Sequence, residues 1–179
     1  MKSILLIALL CVGGAAVQDM PKPTRTEQHE WLAQLVGEWT VSVEATMEPG
    51  AEPMRMESSE TVRSIGGLWV VAEGSTTFDG EPFASMLTLG YDPVRKAFVG
   101  SWIDTTQAYM WSYVGTLDES GRILTLETAG PAFDDPGATA NYRDALEIKG
   151  PDHRQLTSSV QQADGSWVGF MRADYRRKD

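Results

Sequence analysis

Trp102, Trp111 and Tyr113 sit at alternate positions in two adjacent segments, "AFVGSWID" and "YMWSYVGTL". In extended chain, alternate positions share a face, so the three rings can line one wall. Gly100 and Gly115 lie on the same faces and leave space beside the rings. Such a wall buries a small apolar molecule rather than making or breaking bonds. Trp69, with Val71 and Glu73 on its face of "WVVAEGS", extends the wall. Arg143 in "YRDALEI" is the candidate polar anchor, because a guanidinium binds a carboxylate through two parallel hydrogen bonds. The opposite face of that segment carries Tyr142, Leu146 and Ile148 but also Asp144, and hydrophobicity alone turns that face inward. The ligand-binding set is therefore Trp69, Glu73, Trp102, Trp111, Tyr113 and Arg143. Its competitor is an interior simply filled by these rings.

Enzymatic chemistry has a narrower basis. Glu73 and Glu127 both interrupt strand-like patterns, and would do acid–base work if they met inside with raised pKa values. The chain has two histidines, His29 and His153, and one cysteine, Cys11. Zinc sites ordinarily draw on three or four close ligands, so neither a metal nor a Ser-His-Asp triad is indicated. No phosphate loop, Gly-x-Ser-x-Gly or His-Glu-x-x-His motif occurs, and no cofactor is expected.

The 179 residues suit one domain after an N-terminal leader. Lys2, the apolar run Ile4–Val12 and the small residues Gly13–Ala16 make a secretory signal pattern, with residues 1–16 removed. A lipid anchor at Cys11 is disfavoured by Leu9-Leu10 before it. The expected location is secreted or periplasmic, without stable membrane insertion. The net charge of −10 repels phosphate backbones and excludes nucleic acid as a partner. The expected partner is a small hydrophobic or amphipathic molecule, taken by a monomeric or weakly associating protein.

The elements that must hold these residues are mostly strands. Residues 17–26 carry Pro21 and Pro23 and read as a flexible lead-in. Thr26 caps a short helix whose apolar face is Trp31, Leu32, Leu35 and Val36, and Gly37 stops it. From Trp39 the period changes to two: Trp39, Val41, Val43, Ala45 and Met47 share a face. Gly66-Gly67, Asp79-Gly80, Asp92–Lys96, Asp118–Gly121, Gly150–Asp152 and Ala163–Ser166 then punctuate about ten strands. Without helices between them, these strands predict an all-β, antiparallel up-and-down barrel over 27–179.

Helix followed by Gly37-x-Trp39 resembles the start of lipocalin-like (calycin) barrels. There the tryptophan packs at the closed end against an arginine of the last strand; here Arg172 and Arg176 are the candidates. "HEWLAQLVGEWT", "VRSIGGLWVVAEG", "LTLGYDPVRKAFVGSWID", "GTLDESGRILTLET" and "YRDALEIKGPDHRQLTSS" together resemble the DUF1579 family, small bacterial proteins of uncharacterised function. The resemblance runs from His29 to Arg177. It implies a lipocalin-like barrel and brings no catalytic residues. Some related barrels hold haem through a histidine; His153, flanked by Pro151, Asp152 and Arg154, has the surroundings of a solvated turn instead.

The leader makes a direct prediction. Intact-mass measurement of exported protein should give a chain beginning at Val17 and lacking Cys11, whereas a lipid-bearing Cys11 would contradict it.

Overall fold

The computed structural model describes residues 23–46, 51–133, 135 and 137–179. The expected leader, residues 17–22 of the lead-in, and Met47 of the first strand's alternation lie outside the described residues. One helix, α1 (Glu27–Ala33), precedes ten strands: β1 (Gly37–Ala45), β2 (Met54–Ile65), β3 (Trp69–Phe78), β4 (Glu81–Asp92), β5 (Ala97–Asp104), β6 (Trp111–Leu117), β7 (Ile123–Pro131), β8 (Thr139–Gly150), β9 (His153–Gln161) and β10 (Trp167–Arg177). Each strand pairs antiparallel with the next, and β10 returns to pair with β1. The sheet is closed, so no ladder is left open along an edge. This is the all-β up-and-down barrel that the alternation predicts. No helix among the described residues is long and apolar enough to cross a membrane.

Turn chemistry sets the register. Gly66 and Gly67 both have positive φ, as a tight turn of the primed type requires, and Leu68 N donates to Ile65 O at 3.1 Å. Longer turns at the same end are held by aspartates. Asp92 Oδ1 accepts from Val94 N and Arg95 N, and Asp118 Oδ1 accepts from Arg122 N and Ile123 N. Tyr109, expected to share a strand with Trp111 and Tyr113, is not part of β6. Its hydroxyl donates to Ala129 O at 2.9 Å, which holds the preceding loop against β7 instead.

The helix plugs this end of the barrel. Trp31, Leu32 and Leu35 are buried, and Trp31 meets Phe98 edge-on at 5.7 Å. Thr26 is the N-cap, and its backbone N–H donates to Nδ1 of the buried His29 at 2.9 Å. α1 ends at Ala33, before the Gly37 expected to stop it; Gly37 opens β1. With φ at +140° and the Arg177 guanidinium where a Cβ would project, this position suits glycine alone.

Trp39, 1% exposed, forms the floor. Its Nε1 donates to Leu35 O at 2.9 Å, while the guanidinia of Arg177 and Arg154 lie over its ring at 4.2 and 4.6 Å. Arg177 also donates to Val36 O at 2.7 Å and Gln34 O at 3.1 Å, so it ties the last strand to the end of the helix. The expected partners Arg172 and Arg176 are thereby corrected. On β10 the inward positions are Ala173 and Tyr175, continued by Arg177; Arg172 and Arg176 face out beside Asp174 at 3.9 and 3.2 Å.

Trp39→Ala should therefore lower stability by about 3–5 kcal/mol, as expected for truncating a large core ring. Chemical denaturation checks this; an unchanged midpoint would remove Trp39 from the closure of the barrel.

Candidate functional site: a cavity above the closed end

The interior is solid beside the helix and hollow above it. A cavity of about 370 Å³ opens away from α1. Trp102 on β5, Trp111 and Tyr113 on β6, Tyr142 on β8, and Phe133 and Phe170 supply its rings. Trp111 meets Tyr142 edge-on at 5.1 Å, Phe133 meets Tyr142 at 5.3 Å, and Phe133 meets Phe170 at 5.0 Å. Phe83 and Tyr175 add two further rings, and several other lining positions are small: Ala45, Gly74, Ser85, Ser158 and Ala173. Short side chains facing an interlocked aromatic wall leave volume that nothing fills.

Gly100 and Gly115 do not create that volume. A Cβ at Gly100 would strike the Thr88 carbonyl, and one at Gly115 would strike Leu126 and the Thr125 carbonyl. They permit close packing within the wall, which corrects their expected role. The Trp111 ring instead lies over Gly130, and the Trp69 ring over Gly90.

Several polar groups of the cavity are held by hydrogen bonds within the wall. Tyr113 Oη donates to Asp144 Oδ2 at 2.8 Å, and Ser158, opposite Asp144 on β9, also hydrogen-bonds that carboxylate. Burial raises the Asp144 pKa above its ordinary value near 3.8, against the opposing effect of these two bonds. Burial, then the charge of Asp144, also raises the Tyr113 phenol, which stays a neutral donor. The Thr128 hydroxyl lines the cavity, buried and without a hydrogen-bond partner. Asp104 lies on the lining too. Burial pushes its pKa up, but hydrogen bonds from Thr106, Gln107 and Trp102 outweigh burial and hold it below the ordinary value. At the floor Glu60 faces the cavity and is ion-paired with the buried Arg154.

The six residues expected to bind ligand divide evenly. Trp102, Trp111 and Tyr113 line the cavity; Trp69, Glu73 and Arg143 do not. Trp69 is 40% exposed on the outer face, because Val70, Ala72 and Gly74 take the inward positions of β3. Glu73 pairs with Arg63 on β2 at 3.6 Å. Arg143 pairs with Glu127 on β7 at 2.7 Å and lies over the Trp167 ring at 4.1 Å. The strand turns Tyr142, Asp144 and Leu146 inward instead, as hydrophobicity alone favours. Glu73 and Glu127 are thus held on the outer faces of β3 and β7 and do not meet in the interior.

Asp144, Tyr142, Phe133 and Phe170 are the site residues that sequence reasoning missed. The inward run Tyr142-x-Asp144-x-Leu146 carried a signal for the first two. Phe133 lies beyond β7, where no alternation applies, and a register shift between Gly169 and Met171 interrupts β10 beside Phe170. His153 is hydrogen-bonded to Asp174 at 3.1 Å, away from the cavity. Among the described residues no group of three His, Cys, Asp or Glu side chains could hold a metal ion.

A ten-strand barrel with an internal cavity defines the class of protein. Residues 24–177 match the family described as "Protein of unknown function (DUF1579)", and the chain belongs to that family. No curated protein matches the sequence. Among solved structures, the crystal structure of Rv2717c from M. tuberculosis is similar at 16% identity and a TM-score of 0.57, covering 84% of this chain and 96% of that one. This likeness is one of fold. A redesigned β-barrel also matches, at 9% identity and a TM-score of 0.44, over 82% of this chain and 94% of that one.

Asp144 gives stability an unusual pH dependence. Its folded pKa is raised, so the folded state holds a proton that the unfolded state has released. The contribution is fully present below about pH 3.8 and is lost as pH rises through the folded value. Asp144→Asn should therefore gain stability relative to wild type as pH goes from 4 to 7. Thermal melts across that range check the sign; a constant difference between the two proteins would remove Asp144 as the source.

Proposed function

We propose that this protein binds a small, predominantly apolar molecule inside the barrel, outside the cytoplasm. The observation that carries the reading is the unfilled 370 Å³ cavity walled by Trp102, Trp111, Tyr113 and Tyr142. That volume lies within the range of small-molecule sites, roughly 300–1,000 Å³. Each 100 Å² of apolar ligand surface buried there contributes roughly 2.5 kcal/mol, at about 25 cal/mol per Å². Tyr113, Asp144, Ser158 and the unpartnered Thr128 hydroxyl supply the few polar contacts that fix orientation.

Apolar side chains support entry from the end opposite the helix, where Met54, Phe78, Met110 and Phe133 are exposed. An apolar molecule approaching there meets apolar surface before it reaches the cavity. The leader pattern in residues 1–16 supports action after export.

An environment-sensitive apolar dye should bind the folded protein at one site and quench tryptophan fluorescence. Trp111→Ala should change that binding at least severalfold while the far-ultraviolet circular dichroism of the barrel is retained. Absence of binding by any apolar probe would overturn the reading and leave a barrel whose cavity has no ligand.

A further inference from the structure

The charges on the cavity wall are all of one sign. Glu60, Asp104 and Asp144 line the cavity, and no Lys, Arg or His is among its lining residues. Glu60 is already neutralised by Arg154, which is itself held between the Trp39 and Tyr175 rings at 4.6 and 4.2 Å. That arginine is occupied and does not line the cavity. Asp104 and Asp144 have no cationic partner among the described residues; their contacts are neutral donors. Around them stand the faces and edges of Trp102, Trp111 and Tyr113, and aromatic faces attract cations.

We infer that the ligand is an apolar molecule bearing one protonated amine, whose ammonium group sits against Asp144 inside the aromatic wall. This inference rests on the binding reading above and narrows it to one chemical class. A carboxylate ligand of the same shape meets two uncompensated carboxylates and finds no free guanidinium, since Arg143 faces outward in its pair with Glu127. A neutral ligand gains only the apolar contacts. An ammonium supplies the charge that Asp144 lacks and adds a charge-assisted hydrogen bond in a site of low dielectric. The upward displacement of the Asp144 pKa is consistent with a carboxylate stripped of water and left without a counter-charge.

Three probes with one apolar body separate the possibilities: 2-naphthylmethylamine, 2-naphthylmethanol and 2-naphthoate, titrated calorimetrically into the wild-type protein at pH 7. The amine should bind about tenfold or more tighter than the alcohol, the expected worth of a charged hydrogen bond, and naphthoate weakest. In Asp144→Asn the amine should fall to within about twofold of the alcohol measured on the same variant; a melt confirms folding. If that variant does not fold, the wild-type ranking decides by itself, and Asp104→Asn should lower the amine preference by a smaller factor. Naphthoate binding as tightly as the amine, or an amine preference that survives Asp144→Asn, overturns the inference while leaving a binding cavity. Failure of all three probes to bind overturns both readings together.

Discussion

Between β2 and β9 the barrel carries two charges out of water: Arg154 and Glu60, at 3% and 9% side-chain exposure, are ion-paired across its floor. Each buried charge costs several kcal/mol in desolvation, and removing one partner of such a pair costs about 3–5 kcal/mol. The pair therefore constrains everything near it. Arg154 must lie over Trp39 and Tyr175, whose ring faces cover the sides of the guanidinium that hydrogen bonds leave bare. Trp39 in turn needs Leu35 O for its indole N–H, which sets where the helix must end. Arg177 answers the same requirement from the last strand by donating to the carbonyls of Val36, Gln34 and Pro151. First strand, last strand and helix are thus joined through one stack.

That stack also separates the solid part of the barrel from the hollow part. Below it, Trp31 and Leu32 of the helix join Leu35 and Phe98 in the buried core. Above it, large rings on β5, β6 and β8 share the wall with small residues such as Ala45, Gly74 and Ala173, and a cavity of about 370 Å³ remains. The charge pattern has the same origin. Because Arg154, buried at the floor, is used for closure, the cavity lining keeps its carboxylates without a cation. Architecture and the proposed ligand preference are linked through Arg154.

The outer face follows a different rule. Glu73 with Arg63 and Glu127 with Arg143 are cross-strand pairs in partial contact with solvent, and Glu147 pairs with Arg122 just before β7. Pairs of this kind are worth at most about 1 kcal/mol each. They keep a sheet with alternating polar positions soluble and in register rather than forming a site. Reading a charge inside a strand as a functional charge fails here because the same period of two serves both faces.

Local chemistry was legible in the residues themselves. Alternation from Trp39 onward, paired glycines at 66–67, Asp-Gly at 79–80 and the aspartate-led turns at 92 and 118 mark ten strands without further information, since each is a property of a few adjacent residues. The same local logic placed Trp102, Trp111 and Tyr113 on common faces. Which face turns inward was settled only when the sheet closed. A slip of one residue exchanges the two faces, and on β8 both carried a charge, Arg143 or Asp144. Apolar neighbours Tyr142 and Leu146 put Asp144 inside. The partner of Trp39 likewise came from β9 as well as β10, because Arg154 is distant in sequence and adjacent only after β1 meets β10. Local periodicity determined the strands of this protein; closure of the barrel decided which of their side chains share a cavity, because only closure defines an inside.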